Sequence, residues 1–251
     1  MKSILIVEDE DIIAQNIATS LKKMGYKNIY IAKSGAGAIK IIEEQHPDLI
    51  LVDIVLPGKI DGIELAHIIK DRINLPFIFV TADSDEDTVK KAKITEPYGY
   101  IIKPVRKREL QIVIDITFHK FEMDKKLRES EERLSLALES AGLGLWDQNF
   151  KTNKIIRNER WAEMLGYKVE DIDSDIKGMT NLIHPDDRTK VKDAMKDHEL
   201  GKTEHYNIEH RMKTKTGDWK WILNWGKIVC RDKDGAPVRA LGTHFDITER
   251  K

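Results

Sequence analysis

Short apolar runs in the first half of the chain alternate with stretches of helical periodicity. The runs are rich in Ile, Val and Leu, as expected of strands that are buried on both faces of a parallel sheet. A repeated strand–helix–strand order of this kind predicts an α/β domain. The four clearest runs are Ile4–Val7, Leu49–Val52, Phe77–Val80 and Tyr100–Ile102.

Turn and capping residues predict the helices between these strands. Gly25 ends a helix that begins at Asp11, and the Asp61-Gly62 turn precedes another. Ser84, with Asp87 three residues later, resembles a capping box at the start of a fourth helix. With a helix after Ser34-Gly35 and a fifth from Arg106, the pattern predicts a flavodoxin-like, doubly wound domain of five strands and five helices.

The second half of the chain has a different pattern, with strands that alternate in polarity. Two short strands are predicted around residues 144–147 and 154–156, and three longer ones at 205–213, 219–230 and 237–245. Short helices are predicted at residues 158–165 and after His184-Pro185-Asp186-Asp187. This pattern predicts an α+β domain with a small antiparallel sheet and helices on one side.

A long helix is predicted between the two halves, because residues 106–138 contain neither Gly nor Pro. Apolar or small residues recur there at alternating spacings of four and three, which is typical of a coiled coil. We expect a parallel dimer helix; the alternative is a solvated monomeric helix, since the repeat is short and includes a serine. The repeat consists of Met123, Leu127, Ser130, Leu134 and Ala137.

Composition narrows the class of protein. The net charge of −1 over 251 residues, with no basic block, argues against nucleic-acid binding. The single cysteine, Cys230, excludes an internal disulfide framework and favours a reducing compartment. Since no apolar run approaches the ~18 residues of a membrane span, we expect a soluble, cytoplasmic protein that contacts no membrane.

Tryptophan usage indicates two separately built cores. All five tryptophans lie in the second half of the chain. We therefore expect a first domain over residues 1–118, a helical coiled-coil linker over 119–138 and a second domain over 139–251.

Charged and hydroxyl side chains follow the strands of the first half. Glu8 and Asp9 follow the first run, and Asp53, Thr81 and Lys103 follow the others. The carboxyl ends of parallel strands form the ligand crevice of an open sheet, so these groups are expected to meet. Clustered carboxylates stay ionised together only with a cation among them, and Mg²⁺ prefers such oxygen ligands. The pattern predicts a magnesium site beside a nucleophile.

Residues 1–120 resemble the receiver domain of two-component response regulators. The resemblance rests on ILIVEDE, LILVD with LPGKIDG after it, FVTA and GYIIKP, in the family's order and spacing. It implies Mg²⁺-dependent acceptance of a phosphoryl group on Asp53, donated by a sensor histidine kinase or a phosphotransfer protein. The loop at Gly58-Lys59-Ile60 is one residue longer than in the commonest receivers, which bears on partner choice or dephosphorylation rate.

The resemblance also implies a role for each residue of this group. Asp9, Asp53 and the backbone carbonyl of Val55 would be metal ligands, with Glu8 acting through water. Lys103, with a cis bond to Pro104, and Thr81 would hold phosphoryl oxygens, and Tyr100 would turn inward when Thr81 moves toward the phosphate.

The segment from about residue 130 to the end resembles a PAS domain with its PAC portion, through the motifs GLWD, MLGY, IHPDD, IEHRM, KTGDWKWI, DGAPVRALG and DITERK. Members of that family bind haem, flavin, small acids or nothing, so its ligand stays unknown. Cys230 lies in a predicted strand rather than a flavin-adduct helix motif, and the histidines are expected on polar surface. Asp246 and Thr248 are expected to transmit a signal by tying the last strand to the departing segment.

Two functions remain open. The first is a phosphorylation-controlled signalling protein that forms a homodimer, with no enzyme core of its own. The alternative is the N-terminal receiver–PAS portion of a hybrid sensor histidine kinase, because such kinases often continue after a motif like DITERK. Kinase activity is not expected within this chain, since neither an H-box nor an ATP lid is present; His119 lacks the expected neighbours.

Overall fold

The computed structural model describes residues 2–82 and 94–251. The chain divides into two compact units, Met1–Glu129 and Ser130–Lys251, which are described separately below. The helix predicted from Ser84 and Asp87 lies outside the described residues.

The first unit is built on a five-stranded parallel sheet with the order β2-β1-β3-β4-β5. Crossing from β1 to β3 reverses the winding direction, which creates a crevice at the carboxyl ends of these strands. The predicted doubly wound fold is therefore confirmed. The strands are β1 (Ser3–Val7), β2 (Asn28–Ala32), β3 (Leu49–Asp53), β4 (Phe77–Thr81) and β5 (Gly99–Ile102).

Helices cover both faces of this sheet. Helices α1 (Asp11–Lys23) and α4 (Lys107–Ser140) pack against one face, through buried residues such as Ile17 and Leu110. Helices α2 (Gly35–Gln45) and α3 (Gly62–Ile68) pack against the other face, and α3 continues into a wider turn, Ile69–Ile73. Both faces of the sheet are thereby buried, which explains why β1, β3 and β4 are apolar throughout.

The second unit contains a five-stranded antiparallel sheet with the order β7-β6-β10-β9-β8 and helices against one face, as predicted. Helix α6, which is capped by the Asp175 side chain, was not predicted. The elements are β6 (Gly144–Asn149), β7 (Lys154–Arg157), α5 (Glu159–Glu163), α6 (Ile176–Leu182), α7 (Arg188–Glu199), β8 (Tyr206–Lys213), β9 (Trp219–Arg231) and β10 (Pro237–Asp246).

The tryptophans of this unit are divided between two environments. Trp146 and Trp161 are buried in the core. Trp219, Trp221 and Trp225 share the outer face of β9, where Trp219 and Trp225 are 39% and 43% exposed. The inward face of β9 is formed instead by residues such as Ile222.

The predicted linker is part of one continuous helix. Helix α4 begins at Lys107 in the first unit and runs to Ser140, and residues 125–137 are exposed along its length. Among the helices of the described residues, none combines the length and apolar character needed to cross a membrane.

Candidate functional site

Strand register brings the predicted residues of the first unit to one edge of the sheet. Val7 of β1 pairs with Val52 of β3, and Asp53 pairs with Val80 of β4. Thr81 pairs in turn with Ile102 of β5. The residues that directly follow these pairs therefore emerge side by side at the β1/β3 crevice.

Three carboxylates converge in this crevice. Ligand oxygens of Glu8, Asp9 and Asp53 all lie within 4.8 Å of one another, with Glu8 and Asp53 buried and Asp9 exposed. Buried like charges at this distance require a compensating cation. The donor set of carboxylate oxygens, open to solvent at Asp9, fits Mg²⁺.

Lys103 supplies positive charge to the same crevice. Its Nζ lies 2.6 Å from Asp53 Oδ2 and 2.7 Å from Glu8 Oε2. Burial lowers the pKa of Lys103, but the hydrogen bonds to Asp53 and Glu8 outweigh it and hold the pKa above its ordinary value. Lys103 therefore stays charged. The bond between Lys103 and Pro104 is cis, as the resemblance implies.

The surroundings of Glu8 disfavour its ionised form. Burial raises its pKa; the hydrogen bond from Lys103 opposes this, and the charge of Asp53 adds to it, so that the net shift is upward. A further cation in the crevice would favour the ionised form of Glu8.

The remaining groups around Asp53 belong to the loop after β3 and to the end of β4. The backbone N–H of Val55 donates to Asp53 Oδ1 at 3.0 Å, while the Val55 side chain is exposed. Thr81 is buried, and its hydroxyl donates to the Ala82 carbonyl at 2.7 Å. A hydroxyl held by its neighbouring carbonyl is one rotation away from another acceptor.

Tyr100 lies on β5 next to this group. Its ring stacks on Phe79, with centroids 5.8 Å apart, and its hydroxyl is buried without a hydrogen-bond partner among the described residues. Burial raises the pKa of the Tyr100 hydroxyl. In this structure the ring is therefore already packed inward.

Two glycines allow close backbone approach around the loop after Asp53, Gly62 beside the end of β3 and Gly35 at the start of α2, and neither was predicted to have this function. A Cβ on Gly62 would lie 1.9 Å from the Asp53 carbonyl oxygen, and one on Gly35 would lie 2.5 Å from the Ile60 carbonyl oxygen. A side chain at either position would therefore collide with the backbone of this loop or of the end of β3. Glycines that follow capping residues were the available signal.

Tyr98 was also missed, although it connects the start of β5 to the long helix. Its hydroxyl donates to Asp124 Oδ2 at 3.1 Å, and its ring packs edge-on against Phe121 at 5.7 Å. Lys120 Nζ lies 5.3 Å from the ring centroid. Burial, together with the bond to Asp124, raises the pKa of Tyr98 to about 12. Residues 120–124 of α4 are thereby held against the first unit.

At the end of the second unit, Asp246 and Thr248 form a compact turn. Thr248 donates to Asp246 Oδ1 through both its hydroxyl, at 2.5 Å, and its backbone N–H, at 3.0 Å. The backbone N–H of Trp221 donates to the Thr248 hydroxyl, and Lys220 donates to Asp246. These bonds tie the end of β10 to the start of β9.

The expectation that histidines of the second unit lie on polar surface is wrong for His198, His210 and His244, which are at most 4% exposed. The His210 and His244 rings lie 5.8 Å apart, and His244 also contacts Trp161. Burial lowers the pKa of His210 to about 4 and that of His244 well below its ordinary value. Both are therefore neutral at physiological pH.

Comparison with known proteins agrees with this geometry. A family model for the response regulator receiver domain matches residues 4–115, and one for the PAS fold matches residues 154–244. The chain is a receiver–PAS protein.

Individual relatives of this receiver–PAS protein match its receiver half. The transcriptional regulatory protein AfsQ1 of Streptomyces coelicolor is 38% identical over 110 residues, which are 44% of this chain and 48% of the relative. This chain thus spans about half the length of that curated relative.

Solved structures match the same half. The receiver domain of a modulated diguanylate cyclase from Desulfovibrio desulfuricans G20 is 35% identical, with 49% of this chain and 98% of that chain covered and a TM-score of 0.47. The N-terminal domain of a response regulator/sensory box/GGDEF 3-domain protein from Carboxydothermus hydrogenoformans is also 35% identical. The match covers 49% of this chain and 98% of that chain, with a TM-score of 0.46.

The domain composition supports a function of the receiver–PAS protein in two-component signalling. Receiver domains generally bind Mg²⁺ and interact with histidine kinases or phosphotransfer proteins, and the acidic cluster of Glu8, Asp9 and Asp53 is present here.

Proposed function

We propose that this receiver–PAS protein accepts a phosphoryl group on Asp53 from a histidine kinase or phosphotransfer protein, in a Mg²⁺-dependent reaction. The observation that carries the proposal is the convergence of Lys103 and two further carboxylates on Asp53 at the β1/β3 crevice. In this proposal the chain acts as the acceptor of the phosphoryl group.

In the proposed reaction, a carboxylate oxygen of Asp53 attacks the phosphorus of a phosphohistidine. A P–O bond forms and the P–N bond breaks, and its electron pair returns to the imidazole nitrogen of the donor. The backbone N–H of Val55, 3.0 Å from Asp53 Oδ1, orients the attacking carboxylate.

Residues around Asp53 stabilise the transferred group. Lys103 lies 2.6 Å from Asp53 and can follow a phosphoryl oxygen with its ammonium charge. The Thr81 hydroxyl can exchange the Ala82 carbonyl for a second phosphoryl oxygen. Tyr100, stacked on Phe79, responds to movement of Thr81 on the neighbouring strand.

The magnesium ion would be held by Asp9, Asp53 and the Val55 carbonyl, with Glu8 acting through water. When bound, Mg²⁺ neutralises charge on the acids and on the phosphoryl oxygens. The three clustered carboxylates support this assignment.

We further propose that phosphorylation is coupled through helix α4 to the PAS domain, which serves in sensing or dimerisation of a homodimer. Helix α4 supports this coupling because it runs without a break from Lys107 to Ser140. Asp246 and Thr248 would pass the signal onward from the PAS domain. The PAS ligand and the downstream target are left open.

The acceptor assignment is tested by intact mass after treatment with acetyl phosphate, with and without Mg²⁺. We expect a single phosphoryl adduct that requires Mg²⁺ and is absent from the Asp53→Asn protein. Asp71→Asn removes an exposed carboxylate in the wide turn after α3 and should leave the adduct unchanged. A stoichiometric adduct on the Asp53→Asn protein would contradict the assignment.

A further inference from the structure

Two histidines lie on the inner face of the PAS sheet. His210 of β8 and His244 of β10 are 1% and 0% exposed, and their ring centroids lie 5.8 Å apart. The strand between them is β9, where His210 pairs with Ile222 and His244 with Asn224. Both rings therefore occupy the packed interior between the sheet and its helices.

The polar atoms of these rings are poorly satisfied. Neither nitrogen of His244, nor Nδ1 of His210, has a hydrogen-bond partner among the described residues. The indole N–H of Trp161, whose ring lies 5.2 Å from that of His244, has none there either. A neutral imidazole carries one donor and one acceptor, and leaving them unpaired in the interior is unfavourable. Contact with water would give each ring its hydrogen bonds and allow it to bind a proton.

Helix α5 is the packing element that can move away from these rings. It has five residues, and Trp161 is the side chain through which it contacts His244. Asn158 caps the helix: its Oδ1 accepts from the Trp161 N–H at 3.0 Å and from the Leu145 N–H at 2.8 Å. A short helix held by its cap and a few buried side chains can open while the sheet stays intact.

His244 lies close to both segments that would carry a signal through the PAS domain. It pairs with Gly144 of β6, which follows the end of α4 at Ser140. Gly144 packs closely on α5, since a Cβ there would lie 2.6 Å from the Trp161 Cα. His244 also precedes Asp246 of the terminal turn by two residues. Movement of α5 therefore changes the packing of both segments.

We propose that the PAS domain senses acidification: protonation of His210 and His244 holds α5 away from the inner face of the sheet. The bound species is the proton, which solvent delivers to an imidazole nitrogen once the ring is hydrated. This role rests on the sensing function proposed above for the PAS domain and identifies its signal.

The surroundings of the two rings disfavour their charged forms while α5 is closed. Burial lowers the pKa of His210 to about 4; the charge of Asp187 opposes this effect and that of Lys190 adds to it. Burial lowers the pKa of His244 well below its ordinary value, and the charges of His210 and Arg157 lower it further. Protons are therefore bound by the open form and not by the closed form.

Proton binding to the open form alone sets the direction and the size of the effect. The ordinary pKa of a hydrated histidine is about 6.5. Lowering the pH from 7.5 to 5.5 should then raise the ratio of open to closed form about tenfold for one histidine and about a hundredfold for two.

Hydrogen exchange of the full chain at pH 7.5 and 5.5 measures this ratio, after correction for the intrinsic exchange rate at each pH. We expect the opening constant of the amides in residues 161–165 to rise about a hundredfold. Amides of residues 222–228, in the centre of the sheet, should keep a lower opening constant at both pH values. Equal opening constants in the two segments would mean that acid unfolds the whole domain, and would overturn the proposal.

Substitution assigns the protons to the two rings. His210→Gln and His244→Gln each keep a side chain that forms hydrogen bonds but does not titrate, so each should reduce the response to about tenfold. The double variant should show no response. His205→Gln is the matched control and should keep the hundredfold response, because the His205 side chain is 38% exposed and stacks on Trp225 of the outer face.

The wild-type chain counts the protons without any substitution. Between pH 6 and 5 the logarithm of its opening constant in residues 161–165 should change by about two for each pH unit. A constant value over this range would overturn the proposal, as would a hundredfold response in the double variant.

Failure of acid sensing and failure of the acceptor function are distinguishable. If the acetyl phosphate adduct forms on Asp53 while the opening of residues 161–165 is independent of pH, acid sensing alone is refuted. If residues 161–165 open as expected and no adduct forms, acid sensing stands without the acceptor function.

Discussion

Lys103 joins two of the three clustered acids, and its contribution to phosphoryl transfer can be isolated. We expect Lys103→Gln to lower the rate of adduct formation from acetyl phosphate about a hundredfold, because a preorganised charge on the transferred group is lost. Asp53 should remain the modified residue. The rate is measured by intact mass over time.

Lys59→Gln is the control for this substitution, because Lys59 is an exposed lysine in the loop after Asp53. Its rate should equal that of the wild type. Equal rates for Lys103→Gln and the wild type would show that the ion pair with Asp53 contributes nothing to transfer.

The buried histidines make the stability of the second unit depend on pH. The ordinary histidine pKa is about 6.5, whereas that of folded His210 is about 4 and that of His244 lies well below its ordinary value. Between the pKa of each histidine in the folded chain and its ordinary pKa in the unfolded chain, the unfolded chain binds protons that the folded chain does not. The free energy of unfolding should therefore fall as the pH drops from 6.5 to 4, by about 1.4 kcal/mol per pH unit for each histidine.

The charged groups around His210 and His244 do not reverse this dependence of the free energy of unfolding on pH. Burial is the main cause of the lowered pKa of His210; the charge of Asp187 raises this pKa and that of Lys190 lowers it further. At His244, burial also lowers the pKa most, and the charges of His210 and Arg157 lower it further. The hydrogen bonds from Arg211 hold the pKa of Asp187 at about 2, so its titration lies below this window.

Urea unfolding followed by tryptophan fluorescence measures this effect, since all five tryptophans lie in the second unit. The variant His210→Leu should have a slope with pH about half that of the wild type. A wild-type free energy that is constant between pH 6.5 and 4.5 would contradict the burial of both rings as neutral groups.

The burial of His210 has a signal in the sequence, which is its position along β8. His210 has the same parity along β8 as Tyr206, Ile208 and Met212, all of which are buried. Alternation therefore assigned His210 to the inner face of the sheet. Histidine as a residue type suggests a surface position for His210, but its position in the strand determines that it is buried.

At the scale of elements, Tyr98 should stabilise the part of α4 that extends past the receiver core. Tyr98→Phe removes the 3.1 Å hydrogen bond to Asp124 and keeps the ring against Phe121. We expect hydrogen exchange of the amides in residues 118–126 to accelerate about fivefold, since a hydrogen bond of this kind contributes about 1 kcal/mol.

Tyr100→Phe is the matched control, because the Tyr100 hydroxyl has no hydrogen-bond partner among the described residues. It should leave exchange in residues 118–126 unchanged. Equal acceleration in both variants would mean that the bond to Asp124 does not hold the helix.

Elements with a strong periodic signal were predictable, and those without one were not. The strand predicted at residues 219–230 is observed as Trp219–Arg231. Alternation of polarity over many residues is compatible with few structures other than a strand. Helix α6 has seven residues, of which only Gly178 is buried, so it has no apolar stripe to detect. Alternation likewise places Trp219, Trp221 and Trp225 on one face of β9, but it does not specify which face of the strand is inward.

The candidate site was predictable for a different reason. Strand order and the carboxyl-end rule place Glu8, Asp53 and Lys103 together without knowledge of side-chain positions. The contacts of Tyr98 with Asp124 were not predictable, because they depend on how α4 packs beside β5, and local sequence does not specify that packing.

At the scale of the whole molecule, we expect phosphorylation of Asp53 to reach the PAS domain through α4. The helix begins four residues after Lys103, and Tyr98 holds it to the start of the strand that carries Tyr100. Such coupling needs an element with two states of similar energy. Pairing of α4 within the proposed homodimer provides one, because the polar Ser130 weakens a central layer of its heptad repeat.

Hydrogen exchange of the full chain, with and without acetyl phosphate and Mg²⁺, measures this coupling. Protection should change near Tyr100, along residues 123–138 and within the PAS domain, and Asp53→Asn should abolish all three changes. If protection changes near Tyr100 while residues 123–138 and the PAS domain stay unaltered, α4 merely tethers two independent domains. The wild-type response along residues 123–138 therefore decides between a tether and a transmitting helix.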